Sequence, residues 1–141
     1  MFVYQPLSNE AASDTEFNLE EIHRVPLGRY DHVSLSILVN GQQALVPEGI
    51  GMSSELWHDH SLDQYGPSGI SHMHTHDESG TIHIESTVER EYTVGEFLKV
   101  MGMDPGAVTR TTVDGNEVVD FLNHEMKWGE KIQLEVTTDS V

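Results

Sequence analysis

Four histidines fall within twelve consecutive positions, at His72, His74, His76 and His83, and Glu85 stands two residues beyond the last of them. Imidazole nitrogen and carboxylate oxygen are donors that suit zinc or copper(II), and less well nickel or iron(II). Calcium and magnesium would draw on carboxylates instead. Cysteine is absent, which removes thiolate metal sites, disulfides and Cys nucleophiles from consideration.

Spacing decides whether these donors converge. With Asp77-Glu78-Ser79-Gly80 as a turn, the flanking segments, about 70–76 and 81–88, read as the arms of a β-hairpin. Either a two-residue or a four-residue loop sets His74 opposite His83, His72 opposite Glu85 and His76 opposite Thr81. Residues opposed on paired strands project to one side of the sheet. His72, His74, His76, His83 and Glu85 then share a face, and Met73, Thr75, Ile82 and Ile84 share the other. A slip of one residue would destroy that sorting. Opposed Cβ atoms lie about 4.5–5.5 Å apart, a gap that imidazoles bridge to a common ion at about 2.0–2.1 Å. Glu85 would serve as a ligand or hold a ligating imidazole in place from behind.

Other histidines are weighed against this group. His32 opens a strand that would neighbour the hairpin and is the candidate for an additional ligand. His58 and His60 sit in a loop with Trp57 and Asp59, and read as solvated. His23 and His124 have no companions, and read as structural or surface residues. Asp77 and Glu78 are expected to be turn residues. The sequence has no phosphate-binding glycine loop, no Gly-x-Ser-x-Gly elbow and no His-Glu-x-x-His helix. A cupin-like His-x-His reading is disfavoured because no second half of that motif follows.

The elements that would carry the cluster are mostly strands. Val33, Leu35, Ile37 and Val39 alternate with His32, Ser34, Ser36 and Leu38 over 32–39, the period of a strand buried on one face. Asn40-Gly41 and Asp114-Gly115 are tight-turn signals, with return strands expected at 43–47 and 117–121. Further strands are expected at 108–113 and 132–136. Thr93 and Glu96 have capping-box spacing, and Gly102 supplies a left-handed stop, which predicts a helix near 94–101. The fold class expected is α+β, mainly antiparallel β-sheet of six to eight strands with one principal helix. Residues 1–29 read as an acidic, extended arm, and 30–141 as a single β-rich domain.

The formal net charge is −17, from 24 acidic and 7 basic residues. Such a surface repels phosphate backbones, so nucleic acid is not an expected partner. No apolar run is long enough for a membrane span, and the first residues lack the basic and apolar character of a signal peptide.

The stretch from His74-Thr75-His76-Asp77-Glu78-Ser79-Gly80-Thr81-Ile82-His83-Ile84-Glu85-Ser86 through Tyr92-Thr93-Val94-Gly95-Glu96-Phe97 resembles an uncharacterised microbial family. Its core is His-Thr-His-Asp-x-Ser-Gly-x-Ile-His-Ile-Glu-Ser, followed by an aromatic-Thr-Leu-Gly-x-Phe-Phe helix start. The Asn40-Gly41 turn, the Val46-Pro47-Glu48-Gly49-Ile50-Gly51 phrase, Gly115-Asn116-Glu117-Val118 and Trp128-Gly129-Glu130-Lys131-Ile132 extend the resemblance over about 30–137. It implies that the motif acts as a unit, and it implies no activity. Members often follow a membrane anchor outside the cytoplasm. Against that pattern no anchor is expected within these residues, Met101 stands where Trp is usual, and one histidine, His32, stands where relatives tend to have two.

Three functional classes are therefore expected to compete. A zinc- or copper-binding module that holds, delivers or is built around the ion needs only the donors above. A zinc-hydroxide hydratase or hydrolase needs an open coordination position as well. An assembly subunit, packing its histidine face on a partner protein or a second copy, needs no metal. Metal affinity is expected to fall as pH drops through about 6.5, because protons compete for the same nitrogens.

Overall fold

The computed structural model describes residues 28–67 and 69–138, together with the backbone of residues 5–6. The arm expected over 1–29 lies outside the described residues except for that backbone, Gly28 and Arg29.

The molecule is an α+β fold: one main helix and a mixed, mostly antiparallel sheet. The strands are β1 (Gln5–Pro6), β2 (Arg29–Val39), β3 (Gln42–Leu45), β4 (Met73–His74), β5 (Thr81–Ser86), β6 (Val108–Val113), β7 (Asn116–Glu117) and β8 (Lys131–Val136). The order β1-β3-β2-β8-β6-β7 runs across the sheet, and β5 pairs with both β2 and β4. All pairs are antiparallel except β2 with β8.

β2 organises the sheet. Its first half, Arg29 to Ser34, pairs with β5, and its second half pairs with β3 and β8. Alternation along it does what the pattern predicts: Val33, Leu35 and Ile37 are buried on one face, while Ser34 is exposed on the other. The two turn signals hold as well. Asn40 and Gly41 have φ of 50° and 84°, and Asp114 and Gly115 have 52° and 85°, the doubly positive geometry that joins twisted strands tightly. The return strand after Asp114-Gly115 is shorter than expected, β7 ending at Glu117, and a 3-10 turn at Phe121–Asn123 follows.

Helix α1 (Val94–Met101) begins at a capping box. The Thr93 hydroxyl accepts from the Glu96 N–H, and the Glu96 carboxylate accepts from the Thr93 N–H. It ends at Gly102, with φ of 80°. Its stripe of Val94, Phe97, Leu98, Val100 and Met101 joins Val33, Ile37, Ile82, Ile84, Met73, Ile132 and Leu134 in one core. Each such side chain taken from water stabilises by about 1.5–3 kcal/mol.

Candidate metal centre

The site is built on β4, β5 and the first half of β2. His32 pairs with His83, and His83 pairs with His74, so one row of three histidines crosses three strands in register. Beside it, Tyr30 pairs with Glu85, whose N–H donates to the His72 carbonyl. On the other side Ser34 pairs with Thr81, and His76 stands past the end of β4. The expected hairpin register is therefore the one formed. The turn that sets it is held by Asp77, which accepts from the Ser79 N–H and hydroxyl at 3.0 and 2.6 Å. Gly80 completes it at φ 85°, where a side chain would collide with the Leu35 carbonyl.

The first arm departs from expectation in one respect. Regular strand extends only over Met73–His74, and its outer edge is taken by the segment 49–51 rather than by another strand. Gly49 N–H donates to the Thr75 carbonyl, Thr75 N–H to Ile50, and Ser71 N–H to Gly51. The approach is so close that a Cβ on Gly51 would lie 2.3 Å from the Met73 oxygen and 3.2 Å from His74 Cβ. The apolar face behaves as predicted, with Met73, Thr75, Ile82 and Ile84 buried, but the donor face is not a solvent face. His74 and Glu85 are 0 % exposed and His72 is 1 % exposed, while His76, His83 and His32 are half-buried.

His74 sits at the centre of this arrangement. Its Nδ1 lies 2.8 Å from the Ser71 carbonyl oxygen. A carbonyl only accepts, so Nδ1 carries the proton and Nε2 bears the lone pair. That Nε2 is buried without a hydrogen-bond partner among the described residues, and it faces Glu85 Oε2 at 3.8 Å. Burial drives the His74 pKa down to about 3, with His76, His83 and His72 adding repulsion against the cationic form. The ring is therefore neutral, as a ligand must be.

One ligand atom each from His74, His76 and Glu85 lies within 4.8 Å of the other two. This group could hold a metal ion. Donors around a tetrahedral zinc would lie about 3.4 Å apart, so the three donors would have to draw closer around such an ion. His83 lies against it: its ring is parallel to that of His76 with centroids 3.9 Å apart, and 5.8 Å from that of His74. Burial lowers the His83 pKa to about 4, and repulsion from His76 and His32 acts in the same direction. His32 follows, its ring crossing that of His83 at 83° with centroids 4.5 Å apart.

His72 is placed differently. It occupies the expected row, yet its ring lies against Tyr92, with centroids 4.4 Å apart, and it is not part of the His74–His76–Glu85 group. Burial lowers its pKa to about 4. Tyr92 is anchored by a 2.6 Å hydrogen bond to Ser86, whose hydroxyl also engages the Val88 backbone. Comparison with protein-family models, curated proteins and solved structures found no match.

The remaining histidines stand elsewhere. His58 packs against Gly102, and His60 is exposed with its Nδ1 2.8 Å from Asp63. His124 lies 3.0 Å from Glu130. His23 falls outside the described residues. Two features escaped the sequence reading. The Ser71 carbonyl that fixes the His74 tautomer has no signature, being backbone. The Gly51 approach was hinted at only by two glycines, Gly49 and Gly51, bracketing one apolar residue. No helix among the described residues is long and apolar enough to cross a membrane.

Proposed function

We propose that this protein is a transition-metal binding module for zinc or copper, with His74, His76 and Glu85 as ligands and His83 at hand as a further donor. The observation that carries the reading is the buried His74 ring. Its Nδ1–H is committed to Ser71, and its deprotonated Nε2 is directed at a buried carboxylate beside two parallel imidazoles. A neutral histidine oriented through its other nitrogen is the usual arrangement of a metal ligand. Leaving a polar atom buried without a hydrogen bond costs about 1–3 kcal/mol, and an ion in this place would offset that cost. The nitrogen-rich donor set suits zinc or copper(II) rather than calcium or magnesium. The resemblance to the microbial family joins the proposal on the same terms, since its shared motif spans the residues that build this site.

The test is calorimetric titration of protein purified without an affinity tag and stripped by chelation, with zinc and copper(II) in separate runs. Salt at about 0.5 M suppresses loose cation binding to the acidic surface. One tight ion is expected, lost in His74→Ala and retained in His60→Ala. Equal affinity in the wild type and His74→Ala would overturn the reading.

A further inference from the structure

His32 Nε2 and His83 Nδ1 are, like His74 Nε2, shielded from solvent and without a hydrogen-bond partner among the described residues. His32 and His83 are register partners on β2 and β5, with rings crossing at 83° and centroids 4.5 Å apart. Cross-strand partners hold their Cβ atoms about 4.5–5.5 Å apart, a span that two imidazoles close around an ion at about 2.0–2.1 Å. Both residues are half-buried, whereas His74 and Glu85 are fully enclosed. Between the two positions lies His76, its ring stacked 3.9 Å from that of His83 and 4.8 Å from that of His74. The donors therefore form an unbroken series from the rim inward.

We infer that His32 and His83 form a shallower metal-holding pair, through which a transition-metal ion reaches the buried His74–His76–Glu85 group. The inference rests on the metal-binding reading and adds a second position and a direction to it. Two nitrogens are fewer donors than the buried group offers, so an ion held there is more weakly bound and exchangeable. Three donors, one of them anionic, then draw it inward. The Asp77 carboxylate interacts with His76 and His83, and so sets a negative charge on the rim side, where it favours the approach of a cation.

A residue on the route, unlike a ligand of the final site, alters both rates by one factor and leaves the equilibrium unchanged. Stopped-flow uptake of zinc by metal-free protein, with release to excess chelator measured separately, reads this directly. In His32→Ala and in the milder His32→Gln, uptake and release are both expected to slow by about tenfold, with the dissociation constant of the buried site unchanged. In His74→Ala a single weak ion is expected to remain, and adding His32→Ala is expected to remove it. Wild-type rates in both His32 variants would overturn the inference and leave metal binding intact. A loss of equilibrium affinity in His32→Gln as large as that in His74→Ala would also overturn it, by making His32 a ligand of the buried ion. Failure of the wild type to bind zinc would instead remove the parent reading.

Discussion

His74 and His83 face each other across β4 and β5 as register partners, with rings within 10° of parallel and centroids 5.8 Å apart. Parallel rings on neighbouring strands set their edges side by side rather than head to head. Closure around an ion then needs a donor from a different row, and Glu85, at 3.8 Å from His74 Nε2, occupies that place.

Removal of the central ligand should separate binding from folding. His74→Ala is expected to weaken zinc or copper affinity by more than the roughly 10–100-fold typical of losing a residue that only orients a ligand. His60→Ala, at an exposed ring paired with Asp63, is expected to leave affinity unchanged. Calorimetry on both variants, with far-ultraviolet circular dichroism to verify folding, checks this.

Glu85→Gln keeps the shape of the side chain and removes its charge. A carboxyl group with no solvent exposure among imidazoles is an expensive resident of a metal-free core. The variant is expected to raise the stability of the metal-free protein by about 1 kcal/mol while lowering metal affinity. Urea unfolding with and without zinc would show the two effects with opposite sign.

The metal-free fold should lose stability in mild acid. His72 and His83 are lowered from 6.5 to about 4, and His74 to about 3. Below pH 6.5 the unfolded chain takes up protons that the folded chain refuses, so stability falls with pH and levels off once the folded values are passed. Each fully titrating histidine contributes at most about 1.4 kcal/mol per pH unit within that window. Denaturant midpoints measured from pH 7.5 to 4 should decline continuously below about 6.5.

The same lowered values alter the pH dependence expected from ordinary histidines. Protons compete for the His74 nitrogen only well below pH 6.5, so His74 should not contribute to any loss of affinity between pH 8 and about 5.5. A histidine-resolved NMR titration of the metal-free protein measures this, and a His74 ring that takes up its proton near pH 6.5 would contradict its buried, neutral state.

Gly51→Ala tests the strap that covers the site. At φ 74° the alanine is strained, and its Cβ would press on the Met73 carbonyl and on His74 Cβ. Destabilisation above about 1 kcal/mol is expected, with loss of metal affinity because His74 is displaced. Gly41→Ala shares a positive φ but meets nothing within 4 Å, and is expected to leave affinity intact.

Much of this was legible in the chain itself. Alternation fixed which face of β2 turns inward, the Asn40-Gly41 and Asp114-Gly115 pairs marked their turns, and Thr93, Glu96 and Gly102 delimited α1. The pairing of His74 with His83 followed from hydrophobic parity, since only one register buries Met73, Ile82 and Ile84 together. Those are local rules, set by backbone geometry and nearest neighbours. What tertiary structure alone decided was the environment of the donors. The return of 49–51 along β4 comes against His74, the Ser71 carbonyl selects the His74 tautomer, and Tyr92 takes the ring of His72 as its neighbour. Pattern in a strand tells which residues share a side. Burial, and with it protonation, depends on segments distant in sequence that close over that side.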